Sequence, residues 1–145
     1  MCRAHAGVRH LLGGLLNEEE EVVVVVDMEA GLEHLSRGTG RGVDTLLVVL
    51  EPYYKALETA RRATELGREL GIGRVLGIGN KLRGDEDREA VRAYAASHEI
   101  PLVGEIPFDE EVLRADRAGR PPIDTPEAPA VQAIGALATA LGFPP

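Results

Sequence analysis

The chain has one cysteine, no tryptophan and only 3% aromatic residues over its 145 positions. A single thiol excludes an internal disulfide. Cys2 is then a free thiol, a metal ligand shared between chains or an inert residue. With so few rings, the core must be built from Val, Leu, Ile and Ala, and the length suffices for one domain with such a core. Basic residues are outnumbered, 16 Lys and Arg against 24 Asp and Glu, for a formal charge of −8. Binding to a phosphate backbone draws on counterion release at a basic surface, so a nucleic-acid partner is not expected. No apolar run approaches the roughly 20 residues of a spanning helix, and no basic-then-apolar leader is visible. The expectation is a cytoplasmic protein without a membrane partner. One motif is also missing: G-x-x-x-x-G-K-[ST], the phosphate loop, occurs nowhere. Arg37-GTGRG comes nearest, but it precedes a strand instead of joining a strand to a helix.

What is present is a repeating pattern of aliphatic runs and helical stretches. Val22–Val26 is short and β-branched and ends on Asp27. Because it does not alternate, it reads as a parallel strand covered on both faces. Asp44-TLLVVLE-Pro52 is a second such strand, Arg74-VLGIG a third and Pro101-LVGEI a fourth. Between them lie helical patterns at 53–70, with Ala56, Ala60, Ala63, Leu66 and Leu70 on one side, and from an Asp85 cap to about Ser97. A short helix follows PFDEE, Pro121–Pro122 break the chain, and 127–141 form a last Ala/Leu helix. Residues 3–16 also show helical spacing, weakened by Gly13 and Gly14. Strands alternating with helices predict an α/β fold, a mostly parallel sheet flanked by helices, in a single domain spanning 1–145.

In open parallel sheets, ligands gather beyond the carboxyl ends of the strands. After the first strand stand Asp27, able to hold magnesium, and Gly31, whose amide can approach a phosphate closely. After the third stand Asn80, a donor and acceptor for a purine edge, and Lys81. After the fourth come Pro107, Phe108 and Asp109, a loop able to flank a base. Each has a plainer reading: helix cap for Asp27 and Asp109, turn residue for Asn80. Cys2 and His5 share a helical face and can both reach a metal, but two ligands leave a tetrahedral site half complete unless a second copy supplies the rest. Asp27 with Glu29 or Glu51 suggests a different enzyme, yet Ser36, Ser97 and the four histidines fall in no triad spacing.

Taken together, DMEAGLEHLSRGTGRGVDTLLVVLEP, GNK and IPFDEEVLRADRAGRPP resemble the later part of MinD/ParA-like P-loop ATPases, in particular the CooC-type accessory ATPases of carbon monoxide dehydrogenase maturation. The resemblance runs from about Cys2 to Leu141. It implies ATP or ADP with Mg2+ as cofactor, Asp27 as the acid near magnesium, Gly31 by the terminal phosphate, Asn80 reading adenine and the Pro107–Asp109 loop flanking it. It further implies that Cys2 matches the second cysteine of a Cys-x-Cys pair that binds a metal, Zn2+ or Ni2+, across a homodimer interface. The implied partner is a nickel enzyme such as carbon monoxide dehydrogenase. The chain departs from the pattern in lacking the phosphate-loop strand and the first cysteine of a Cys-x-Cys pair. It therefore reads as the carboxyl-terminal part of such an ATPase, from an internal start, a decayed gene or a split one whose amino-terminal half is a separate polypeptide.

Two expectations follow. Without the loop lysine and amides, the phosphates lack neutralisation, so a partial nucleotide-binding protein with little or no ATPase activity alone is expected. The alternative is a non-enzymatic dimeric interaction or metal-binding module. The absent strand would also leave Val22–Val26 and Thr45–Leu50 with open inner edges, to be closed by direct pairing or by dimerisation.

Overall fold

The structure is a computed structural model that describes residues 23–28 and 43–143. Within them run β1 (Thr45–Leu50), α1 (Tyr54–Glu69), β2 (Arg74–Leu82), α2 (Asp85–Ser97), β3 (Leu102–Pro107), α3 (Glu110–Arg117), a 3-10 turn (Pro122–Asp124) and α4 (Pro129–Ala140). The three strands form a parallel sheet in the order β1-β2-β3. The α/β architecture is the one the alternating pattern predicts.

Local chemistry accounts for the boundaries. Aliphatic TLLVVL makes β1, and Pro52 prevents its continuation. The buried stripe of α1 is Leu57, Ala60, Thr64 and Gly67, rotated from the predicted Ala56–Leu70 stripe, of which Ala60 alone is fully buried. Thr64 is tolerated there because its hydroxyl donates to the Ala60 carbonyl at 2.9 Å. The helix ends in a Schellman arrangement: Gly71 sits at φ 76°, and Ile72 N–H donates to the Gly67 carbonyl. At the start of α2 the Ncap is Gly84, not Asp85. Asp87 instead reaches back to accept the Arg83 N–H at 2.8 Å.

Helices α1 and α2 pack on one face of the sheet and enclose Val48, Leu50, Leu57, Ala60, Leu82, Val91, Ala95 and Ile100. Helix α4 packs against β3, where Gly104 leaves space: a Cβ there would lie 3.0 Å from Leu137 Cδ1. The β2–β3 register is interrupted twice, between Gly77 and Ile78 and between Gly79 and Leu82.

Two expectations are corrected. Val23–Met28 forms no strand, and its valines are not covered on both faces: Val25 is 83% and Val23 59% exposed. Direct pairing with Thr45–Leu50 is likewise not found, because β1 is the end strand among the described residues. Strand β1 is itself covered on one side only, with Val48 and Leu50 buried but Val49 51% exposed. A continuous apolar run predicts two covered faces only where neighbours exist on both sides, and none of the described residues provides the second. The predicted helix at 3–16 and the acidic turn after it lie outside the described residues.

Candidate functional site

The carboxyl ends of the three strands converge on one rim. From β1 comes Glu51, held in place by the Leu50↔Gly79 pairing that sets it opposite Asn80. Strand β2 runs two residues past Asn80, so Asn80 and Lys81 lie within the strand and not after it as predicted. Between the pairs Gly79↔Glu105 and Leu82↔Pro107, β2 has two residues where β3 has one. This is a β-bulge, a device that re-aims side chains. Lys81 carries the distortion with φ 57°, a left-handed conformation costly for a residue with a Cβ.

The bulge brings two neighbours onto one acceptor. Glu51 Oε1 receives Lys81 Nζ at 2.7 Å and faces Asn80 Nδ2 at 3.5 Å. Glu51 and Asn80 are half-buried, while Lys81 stays largely exposed.

The third loop is braced more firmly. Phe108 N–H donates to the Leu82 carbonyl at 3.0 Å, and the Arg83 guanidinium lies 4.6 Å over the Phe108 ring. Asp109 Oδ1 accepts the Glu111 N–H at 2.8 Å, and its Oδ2 accepts the Ala130 N–H at 3.1 Å. The Ala130 amide, followed by those of Glu111 and Val112, holds this carboxyl below its usual range. Beside the rim, a cleft of about 290 Å³ is lined by Pro52, Tyr53 and residues 83–87.

The structure thus gathers Asn80, Pro107 and Asp109 at adjacent strand ends. Asp27 is exposed, and no hydrogen bond or ion pair ties it to those ends among the described residues. Gly31, Cys2 and His5 lie outside the described residues. No cluster of three or more His, Cys, Asp or Glu is placed to hold a metal among the described residues. No helix there is long and apolar enough to cross a membrane. Arg83 is the site member that motif reading passed over, and Glu51 figures there only as a partner of Asp27 in a different enzyme, not as a neighbour of Asn80. The signal for Glu51 was the same as for Asp27, an acid ending an aliphatic run.

A parallel three-stranded sheet with helices on both faces and loops converging at the strand ends is the layering of MinD-type ATPases. MinD of Aquifex aeolicus superposes with a TM-score of 0.77 over 94% of this chain and 60% of its own, at 22% identity. The Pyrococcus furiosus cell division ATPase MinD gives 0.73 over 94% and 57%, at 20%. No family model matches the chain. The carbon monoxide dehydrogenase accessory protein CooC of Rhodospirillum rubrum is 42% identical over 119 residues, 82% of this chain and 44% of CooC. An uncharacterized ATP-binding protein of Methanocaldococcus jannaschii is 39% identical over 122 residues, 83% of this chain and 47% of that protein. The chain belongs with the CooC-like members of the MinD/ParA-like ATPases and spans about half the length of the curated relatives it matches.

Proposed function

We propose that the rim is the base-binding part of an adenine-nucleotide site in a protein of the CooC type. The observation that supports this most directly is the bulge at Asn80–Lys81, which sets a half-buried carboxamide at the end of the central strand beside the Pro107–Asp109 loop. A carboxamide offers both a donor and an acceptor to a purine edge. Pro107 and Phe108 supply apolar surface next to it, and Asp109 fixes the loop by its two backbone contacts. In this reading Asp27 holds Mg2+, Gly31 lies by the terminal phosphate, and Cys2 with His5 binds Zn2+ or Ni2+ between two copies. The partner is a nickel enzyme such as carbon monoxide dehydrogenase, and the location is the cytoplasm.

The residues fit the base better than the phosphates. The sequence holds no lysine-bearing phosphate loop, so charge on the β- and γ-phosphates goes without its usual neutralisation. The chain alone is therefore assigned nucleotide binding with little or no hydrolysis. Nuclear magnetic resonance titration with AMP tests this: backbone signals of residues 80, 81 and 107–109 shift together, and Asn80→Ala abolishes the response. Shifts confined to other surfaces would refute the assignment.

A second reading rests on the β1 edge, which no strand pairs with among the described residues. With Leu47 and Val49 uncovered, the chain acts as an interaction module, pairing with a second copy or with a polypeptide that carries the phosphate-binding half.

A further inference from the structure

In a regular strand, consecutive side chains point to opposite faces. Asn80 and Lys81 are consecutive, yet both polar ends meet Oε1 of Glu51, at 3.5 Å and 2.7 Å. The bulge and the left-handed Lys81 make this convergence possible. It matters because a carboxamide has two faces that differ in sign. Turned one way, Asn80 offers its NH2 to Glu51 and its carbonyl oxygen elsewhere; turned the other way, it sets an oxygen against a carboxylate. Only the first orientation is attractive, since an ionised carboxylate accepts and never donates. Among the described residues, nothing donates to Asn80 Oδ1, which leaves it to a ligand.

We infer that Glu51 is a positioning residue that fixes the flip of the Asn80 carboxamide, so that the site takes a purine with an amino group at C6 and rejects one with a carbonyl there. This deepens the adenine-site reading and rests on it. The exposed Oδ1 accepts from a 6-amino group; against a 6-carbonyl it meets a second acceptor, and the carboxamide cannot turn an N–H towards that carbonyl while Glu51 holds its NH2. Lys81 anchors the carboxylate and keeps it at the end of β1. Glu51 itself touches no ligand in this arrangement and acts through Asn80.

AMP and IMP share sugar and phosphate and differ along the C6–N1 edge, a 6-amino group beside an acceptor N1 against a 6-carbonyl beside N1–H, so comparing them probes this edge without any phosphate loop. In resonance titrations of the full chain, AMP should bind about tenfold more tightly than IMP, in line with the discrimination that a site built around one polar contact achieves. Glu51→Ala should bring the two affinities within about twofold by freeing the amide to turn. Glu51→Gln, an isostere whose amide donates as well as accepts, should lose the preference as Glu51→Ala does, a result that a merely structural role would not give. The side-chain NH2 signal of Asn80 in the ligand-free chain should move in Glu51→Ala and in Glu51→Gln. Full AMP preference in Glu51→Ala, or an Asn80 signal indifferent to Glu51, would overturn the inference while leaving the adenine site standing. Absence of all binding by the unaltered chain would overturn the adenine site and the selectivity with it, whereas the Asn80 signal would still judge the hold of Glu51.

Discussion

Asp109 has two carboxylate oxygens, and each accepts a backbone N–H from a different helix. Glu111 lies in the first turn of α3, and Ala130 in the first turn of α4. One side chain therefore caps α3 and ties α4 to the loop after β3. Its removal loses a cap and orphans a half-buried amide, so Asp109→Ala should cost about 1–3 kcal/mol in urea unfolding at neutral pH. The pH dependence has a definite sign. The backbone amides hold the folded carboxyl below its usual range, so the stabilisation is complete above the unfolded value near 4 and fades as the folded group protonates. The gap between the unaltered chain and Asp109→Ala should accordingly shrink on acidification below that value. The cap was legible here from sequence, since an acid at the start of PFDEE suits a helix N-terminus. The second contact, to Ala130, was not: the amide is 21 residues away and only packing brings it near.

Between elements, one polar clasp and one glycine set how α1 and α2 sit on the sheet. Tyr94 of α2 donates its hydroxyl to Glu58 of α1 at 2.6 Å, and Arg61 grips the same carboxylate with two N–H groups at 3.2 Å. Hydrogen bonds from Arg61 and then Tyr94 pull the Glu58 carboxyl down to about 2. Burial and then the bond to Glu58 push Tyr94 up to about 12. Both directions favour the clasp at neutral pH. Its acid window runs from the unfolded glutamate value near 4 down to about 2, and its alkaline window from the unfolded tyrosine value near 10 up to about 12. Phenolate absorbance should therefore show Tyr94 titrating late, towards about 12, and Glu58→Gln should lower its midpoint. The glycine is Gly77 in the central strand, where a Cβ would fall 2.8 Å from Ile100 Cγ2 and 3.0 Å from Leu50 Cδ1. Two opposed core side chains cannot both retreat, so Gly77→Ala should destabilise by about 1–3 kcal/mol in equilibrium unfolding. The GIG of β2 was visible as strand in the sequence; that its first glycine is a packing necessity follows only from the helices laid over it.

At the scale of the molecule, the sheet and its rim were legible because each strand is an unbroken aliphatic run and each connection carries a helical period. What local pattern does not contain is who lies next to an edge. Val22–Val26 and Thr45–Leu50 look equally strand-like, yet β1 pairs along its whole length with β2 and Val23–Met28 pairs with nothing described. The difference is one of partners: a β-branched segment becomes a strand only when another backbone satisfies its N–H and C=O groups. The end strand of a parallel sheet presents alternate backbone groups outward, and β1, the end strand among the described residues, adds the exposed Leu47 and Val49. Such an edge is a template for another strand, which gives the second functional reading its test. Under that reading the chain self-associates in sedimentation equilibrium, and outward-facing amides within Thr45–Leu50 are protected from hydrogen exchange in the associated state. Leu47→Lys with Val49→Lys should shift the chain to monomer and expose those amides, while the Val48–Leu50 face keeps its core against α1. A monomer with the same exchange pattern before and after substitution would mean that no second chain closes this edge.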